Sequence, residues 1–156
     1  MSNTIPTTGQ AIKTKSTFRL ECAVAINIQA PAEKIWSLLT TASDFARWNS
    51  TVDQITGTIA LGEKIELQVP YAPDRTFNLK IDEFVPHQMM VWSDGMAPMF
   101  RGVRTYQLTA KPDGSTDFSM VEVLSGVMLP LIGKSLPDFG PPFEQYAADL
   151  KAEAER

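Results

Sequence analysis

The 156-residue sequence predicts an α+β fold: a curved antiparallel sheet of about seven strands wrapped round a long C-terminal helix, with two short helices after the first strand. Three observations predict it. Apolar residues alternate with polar ones in successive short segments between Phe18 and Ser125, the signature of half-buried strands. The strand segments are joined by short links, which favours antiparallel neighbours. One helical stripe, Phe143, Tyr146, Ala147, Leu150 and Ala154, follows them, and it is the only element large enough to cover the apolar sheet face.

The elements follow in order. From Phe18 to Ile28, the residues Phe18, Leu20, Cys22, Val24, Ile26 and Ile28 share one face of a strand. Ala30-Pro31 ends it and opens a helix carrying Ile35, Leu38, Leu39 and Ala42, since proline suits the first helical turn. A second short helix is expected with Ser43 as N-cap, Asp44 in its first turn, and an end near Trp48. Val52 to Ile59 is a ragged strand interrupted at Gly57. Ile65, Leu67 and Val69 mark the next strand, and Phe77, Leu79 and Ile81 another. Pro86-His87 reads as a hairpin turn into Met89 to Ser93, which Asp94-Gly95 ends.

Phe100 to Ala110 and Thr116 to Ser125 form the last hairpin. A three-residue loop from Asp113 to Ser115 with a Gly bulge would set Tyr106 opposite Glu122. Beyond Gly126 lies a segmented helix, broken near Pro137 and resuming at Pro141. Residues 1–16, polar and rich in Thr, are expected to be a flexible tail, and residues 17–156 a single ligand-binding domain.

Composition narrows the function. A formal charge of −4 with scattered Lys and Arg offers no footprint for nucleic acid. No stretch approaches a membrane span, and the N-terminus lacks the apolar core of a secretory signal, so the expected compartment is the cytoplasm. Cys22 is the only cysteine and His87 the only histidine. The first is expected as a buried, inert thiol and the second as a solvated turn residue. Together they exclude an intrachain disulfide and a zinc site of the usual ligand number, and their distance apart in the expected fold argues against a Cys–His nucleophile pair. No Gly-rich phosphate loop follows a strand, so no cofactor is expected.

Four stretches carry a resemblance to the START/Bet v 1-like superfamily, also called SRPBCC or polyketide cyclase/dehydrase-like proteins. They are Ile28-Gln29-Ala30-Pro31-Ala32-Glu33-Lys34-Ile35-Trp36, Trp48-Asn49, Pro86 to Trp92, and Leu124-Ser125-Gly126-Val127-Met128-Leu129-Pro130. The resemblance runs from about residue 18 to the end. It implies a helix-grip fold with an apolar cavity between sheet and C-terminal helix. It covers lipid carriers, hormone receptors and aromatase/cyclases alike, so fold alone does not name the activity. Where relatives carry His in the penultimate strand this sequence has Arg104, which cannot deprotonate, so that acid/base role does not carry over.

Glu122 lies between Met120 and Leu124 on the inward face, where a carboxylate must be paired or neutral. Arg104 and Tyr106 on the facing strand have the parity to pair with it. The set reads as an ion pair ordering the sheet, or as a polar anchor for a ligand group. Glu122, Arg104 and Tyr106 are equally the catalytic candidates for an aldol-type cyclisation or dehydration. Trp92, Met96, Met99, Phe100, Phe118, Met120, Met128, Leu136, Phe139 and Phe143 read as plain core or as an adaptable ligand-binding lining. The apolar loop Met96 to Phe100 is expected at the cavity mouth, and Trp36 and Trp48 are expected to close one end of the sheet.

Three functions compete. The first is a non-catalytic binder of a small hydrophobic molecule of lipid, isoprenoid or aromatic polyketide type. The second is a cofactor-independent polyketide cyclase or dehydratase. The third is a protein-interaction module, against which the polar outward residues Lys64, Glu66, Gln68, Asn78, Lys80 and Asp82 speak. The expected partner is the small hydrophobic molecule, and the expected state a monomer or weak homodimer.

Overall fold

The computed structural model describes residues 5–156. Eight strands form one antiparallel sheet in the order β1-β2-β8-β7-β6-β5-β4-β3. They are β1 Ile12–Ser16, β2 Arg19–Ile28, β3 Gln54–Thr56, β4 Lys64–Gln68, β5 Phe77–Val85, β6 Met89–Met96, β7 Phe100–Ala110 and β8 Thr116–Ser125. Between β2 and β3 lie α1 (Ala32–Thr40), a 3-10 turn (Ala42–Asp44) and α2 (Phe45–Trp48). After β8 come α3 (Leu129–Ile132), a second 3-10 turn (Gly133–Ser135) and α4 (Gly140–Ala154).

The count exceeds the expected seven because Ile12–Ser16, read as tail, is a strand. Ile12 pairs with Ala23 and Ser16 with Arg19 along the edge of β2. Every residue of β1 is exposed, so no apolar alternation betrays it. Its order comes from backbone pairing and from two ties to the C-terminal segment: Lys13 Nζ reaches Asp138 Oδ1, just before α4, at 2.8 Å, and the N–H of Ala11, just before β1, donates to Glu144 Oε2 in α4 at 2.8 Å. The part of the expected tail formed by residues 1–4 lies outside the described residues.

Two further expectations are corrected. Ser43 caps nothing; Asp44 precedes α2, and it makes no side-chain cap bond. The β7–β8 register is displaced by two residues, so that Arg104, not Tyr106, stands opposite Glu122, and Tyr106 faces Met120. Proline explains the shift. The expected register would place Pro112 opposite Thr116, but proline has no N–H for the ladder. The chain turns through Pro112 to Gly114 instead, Lys111 N–H donating to Ser115 O at 2.8 Å, while Asp113 Oδ1 accepts from Ser115 N–H at 2.9 Å.

α4 packs its apolar stripe on the sheet near β2, and Phe143, Tyr146, Ala147, Leu150 and Ala154 are all buried. Each large side chain buried this way contributes roughly 1.5–3 kcal/mol. At this end of the sheet Tyr146 stacks on Phe118 with ring centroids 6.2 Å apart and meets Trp48 edge-on at 6.0 Å. Trp36 packs separately, against Phe84 at 5.1 Å and His87 at 6.4 Å on the β5–β6 hairpin. His87 is an exposed turn residue with a φ of 67°. No helix among the described residues is long and apolar enough to cross a membrane.

Candidate functional site

The inner face of the sheet can be read as rows crossing the strands. One row runs Trp92 (β6), Arg104 (β7), Glu122 (β8), Cys22 (β2). The next runs Asp94, Gly102, Leu124, Leu20. Between these rows and the broken segment before α4 lies a cavity of about 60 Å³. Leu67, Phe77, Leu79, Trp92, Phe100 and Leu124 form its apolar walls, and Leu136 and Phe139 cover it from the segment between α3 and α4. Tyr71, Arg75, Asp94, Arg104 and Glu122 supply its polar groups.

Arg104 and Glu122 form its floor. Arg104 Nε donates to Glu122 Oε2 at 3.1 Å, with the two side chains only 13 % and 14 % exposed. The guanidinium also lies over the Phe143 ring, 5.0 Å from its centroid, which adds a cation–π contact. Burial pushes the Glu122 carboxyl above its ordinary value, and Arg104 opposes that rise. Burial alone would lower Arg104, but Glu122, Tyr106 and Tyr71 together outweigh it and the guanidinium is held firmly charged. Deeper in, Tyr106 and Tyr146 are buried, and neither hydroxyl has a hydrogen-bond partner among the described residues. Burial raises both phenols.

Of the residues expected to line the site, Trp92, Phe100, Arg104, Glu122, Leu136 and Phe139 come together around the cavity. Tyr106, Phe118, Met120 and Phe143 do not; they are fully packed where α4 covers the sheet. Met96 and Met99 are exposed, and Met128 is half-buried. Their loop is tied to the connection after β8, where Val127 N–H donates to Pro98 O at 3.0 Å and Met128 N–H to Met99 O at 2.9 Å.

Sequence reasoning missed Tyr71, Arg75, Asp94 and Gly102, and read Leu67, Phe77, Leu79 and Leu124 as strand faces without assigning them to the site. Asp94 was legible in principle: β6 runs on to Met96, so the parity that turns Trp92 inward turns Asp94 inward too. Tyr71 and Arg75 lie between β4 and β5, where no period applies. No cluster of His, Cys, Asp or Glu suited to hold a metal ion occurs among the described residues.

The fold is shared with solved structures of low sequence identity. The aromatase/cyclase Zhui from Streptomyces sp. R1128 superposes with a TM-score of 0.69 at 13 % identity, over 88 % of this chain and 94 % of that one. A START superfamily protein from Mycobacterium smegmatis gives 0.64 at 14 %, over 86 % and 97 %. A conserved protein of unknown function from Enterococcus faecalis gives 0.66 at 14 %, over 93 % and 77 %. No curated protein sequence matches the chain. The family model described as polyketide cyclase / dehydrase and lipid transport matches residues 19–155. A match of that extent, on a sheet that grips its C-terminal helix, makes this chain a member of the polyketide cyclase/dehydrase and lipid transport family.

Proposed function

We propose that the protein binds a small hydrophobic molecule, of lipid, isoprenoid or aromatic polyketide type, without transforming it, and orients it by one polar group set against Arg104 and Glu122. The observation that carries this reading is the paired charge on the floor of a cavity whose walls are mainly apolar. Ligand sites are commonly apolar enclosures with a few convergent polar groups. A guanidinium fixed by its carboxylate and by Phe143 is a stable donor to a ligand carbonyl or carboxylate.

The cavity volume of about 60 Å³ is well below the roughly 300–1,000 Å³ of typical ligand pockets. A ligand therefore enters by displacing its cover. Leu136 and Phe139 belong to the connection between the Gly133–Ser135 turn and α4, which is held by few helical hydrogen bonds and is the natural part to move.

Native mass spectrometry of gently purified protein, with solvent extraction of its cargo, tests the reading. The expected result is a retained apolar molecule, or, for stripped protein, saturable binding of an apolar probe that alters Trp92 fluorescence and loses that response in Trp92→Phe. A bare mass together with no probe binding would sink it.

A second reading, a cofactor-independent cyclase or dehydratase, is favoured by the Glu122 carboxyl, held above its ordinary value by burial beside Arg104 on the cavity floor. Glu122 would move the proton while Arg104 held the developing oxyanion. Turnover of a polyketide-like substrate unchanged in Glu122→Gln would eliminate it.

A further inference from the structure

Asp94 is the inward-facing charge that the Arg104–Glu122 pair does not absorb. Its carboxylate enters no ion pair and accepts no side-chain hydrogen bond among the described residues; the backbone N–H of Gly102 is its hydrogen-bonding neighbour. Asp94 stands directly opposite Gly102 across β6 and β7. A Cβ at Gly102 would collide with Asp94 Oδ1, so the missing side chain makes the space that the carboxylate occupies. It lines the same cavity as the apolar Leu79, Trp92 and Phe100 and the polar Tyr71, Arg75 and Arg104. The groups that act on it are Arg104 and Arg101 from β7 and Arg75 from the β4–β5 connection; they oppose, without overcoming, the effect of its burial.

Asp94 also marks a second edge of the cavity. The β5–β6 ladder ends at Lys80 and Ser93, so Leu79 and Asp94 lie just past the last pair, where the strands part. Both residues line the inner cavity and also an open groove on the outer side of these strands.

We propose that Asp94, seated over Gly102, is a second polar anchor of the cavity, selecting an apolar ligand that carries a hydroxyl there as well as a polar group on Arg104. This rests on the binding reading above and deepens it, because it specifies the ligand as doubly polar. The two anchors occupy successive inward rows, roughly 7 Å apart by strand rise. The hydroxyl donates to the carboxylate, and it is the end of the ligand nearest the outer groove.

Calorimetric titration with 6-hydroxy-2-naphthoate and with 6-methoxy-2-naphthoate tests the proposal, since both keep a carboxylate for Arg104 while the second loses the only hydroxyl donor. Wild type is expected to bind the hydroxy acid roughly tenfold more tightly, the order of a hydrogen bond to a charged acceptor. Asp94→Leu is expected to bind both probes alike. Gly102→Ala, which keeps the carboxylate but takes its seat, is expected to lose the preference too. Equal binding of the two probes by wild type, or a preference that persists in folded Asp94→Leu, overturns the role of Asp94 alone. Binding of neither probe by wild type overturns the cavity reading and this inference together.

Discussion

Arg104 and Glu122 are direct cross-strand partners on the inner face of β7 and β8, joined at 3.1 Å and nearly excluded from solvent. Two charges in so apolar a place stabilise little relative to a well-packed apolar pair, yet each depends strongly on the other. Their value to the protein is as a fixed, oriented donor set at the floor of the cavity.

That dependence is measurable. Glu122→Ala leaves the guanidinium buried without its counter-charge, with an expected loss of about 3–5 kcal/mol. The double replacement Arg104→Met with Glu122→Leu is expected to recover most of it, because no charge remains to desolvate. Urea unfolding of the three proteins checks this; a double variant as unstable as the single one contradicts the account.

Asp94 predicts a pH dependence of the opposite sense to that of a salt-bridged surface carboxylate. Burial holds its carboxyl above the ordinary value of 3.8 despite three arginines. With the folded pKa above the unfolded one, the folded state binds more protons between the two values. The stability contributed through Asp94 is therefore fully present below 3.8 and falls as pH rises through the folded value. Relative to Asp94→Asn, wild type should lose stability over that window and then level off. A difference between the two proteins that rises with pH contradicts it.

Cys22 should be silent in the folded protein. It is 2 % exposed, and burial pushes its thiol up to about 11. An aromatic disulfide reagent is expected to leave the native chain unmodified and to titrate its single thiol in denaturant. Rapid modification without denaturant would show that β1 and β2 open far more easily than the structure implies.

β1 should protect an edge more than it stabilises a core. All its residues are exposed, so its own removal, in a chain that starts at Thr17, takes little apolar surface out of the core. It uncovers the backbone donors and acceptors of β2 that pair from Ile12–Ala23 to Ser16–Arg19. The truncated protein is expected to fold and to associate as concentration rises, read by size-exclusion chromatography. A strictly monomeric truncation would show that α4 or its approach covers the edge by itself.

What local periodicity reports is which way a side chain points, and here it reported well. The alternation in β2, β4, β5, β7 and β8 and the stripe of α4 identify the inward faces, and they place Arg104 and Glu122 on the same side of the sheet. That parity survived a register shifted by two, because a shift of two leaves every side chain on its face. The opening motif Ile28 to Trp36 likewise marks the strand-to-helix entry where α1 begins.

Depth and partnership are different quantities. Phe118 and Met120 share a face with Glu122, yet they are sealed under α4 while Glu122 meets the cavity, because the helix covers only part of the sheet. β1 has no apolar face at all, so only the open edge of β2 makes it a strand. Asp94 looked like a turn residue until β6 continued past it and Gly102 left room for its carboxylate. The sequence by itself determined the faces, since the backbone period is local. The tertiary structure decided which of those inward residues line a cavity and which fill the core, since that depends on what chain, distant in sequence, packs above them.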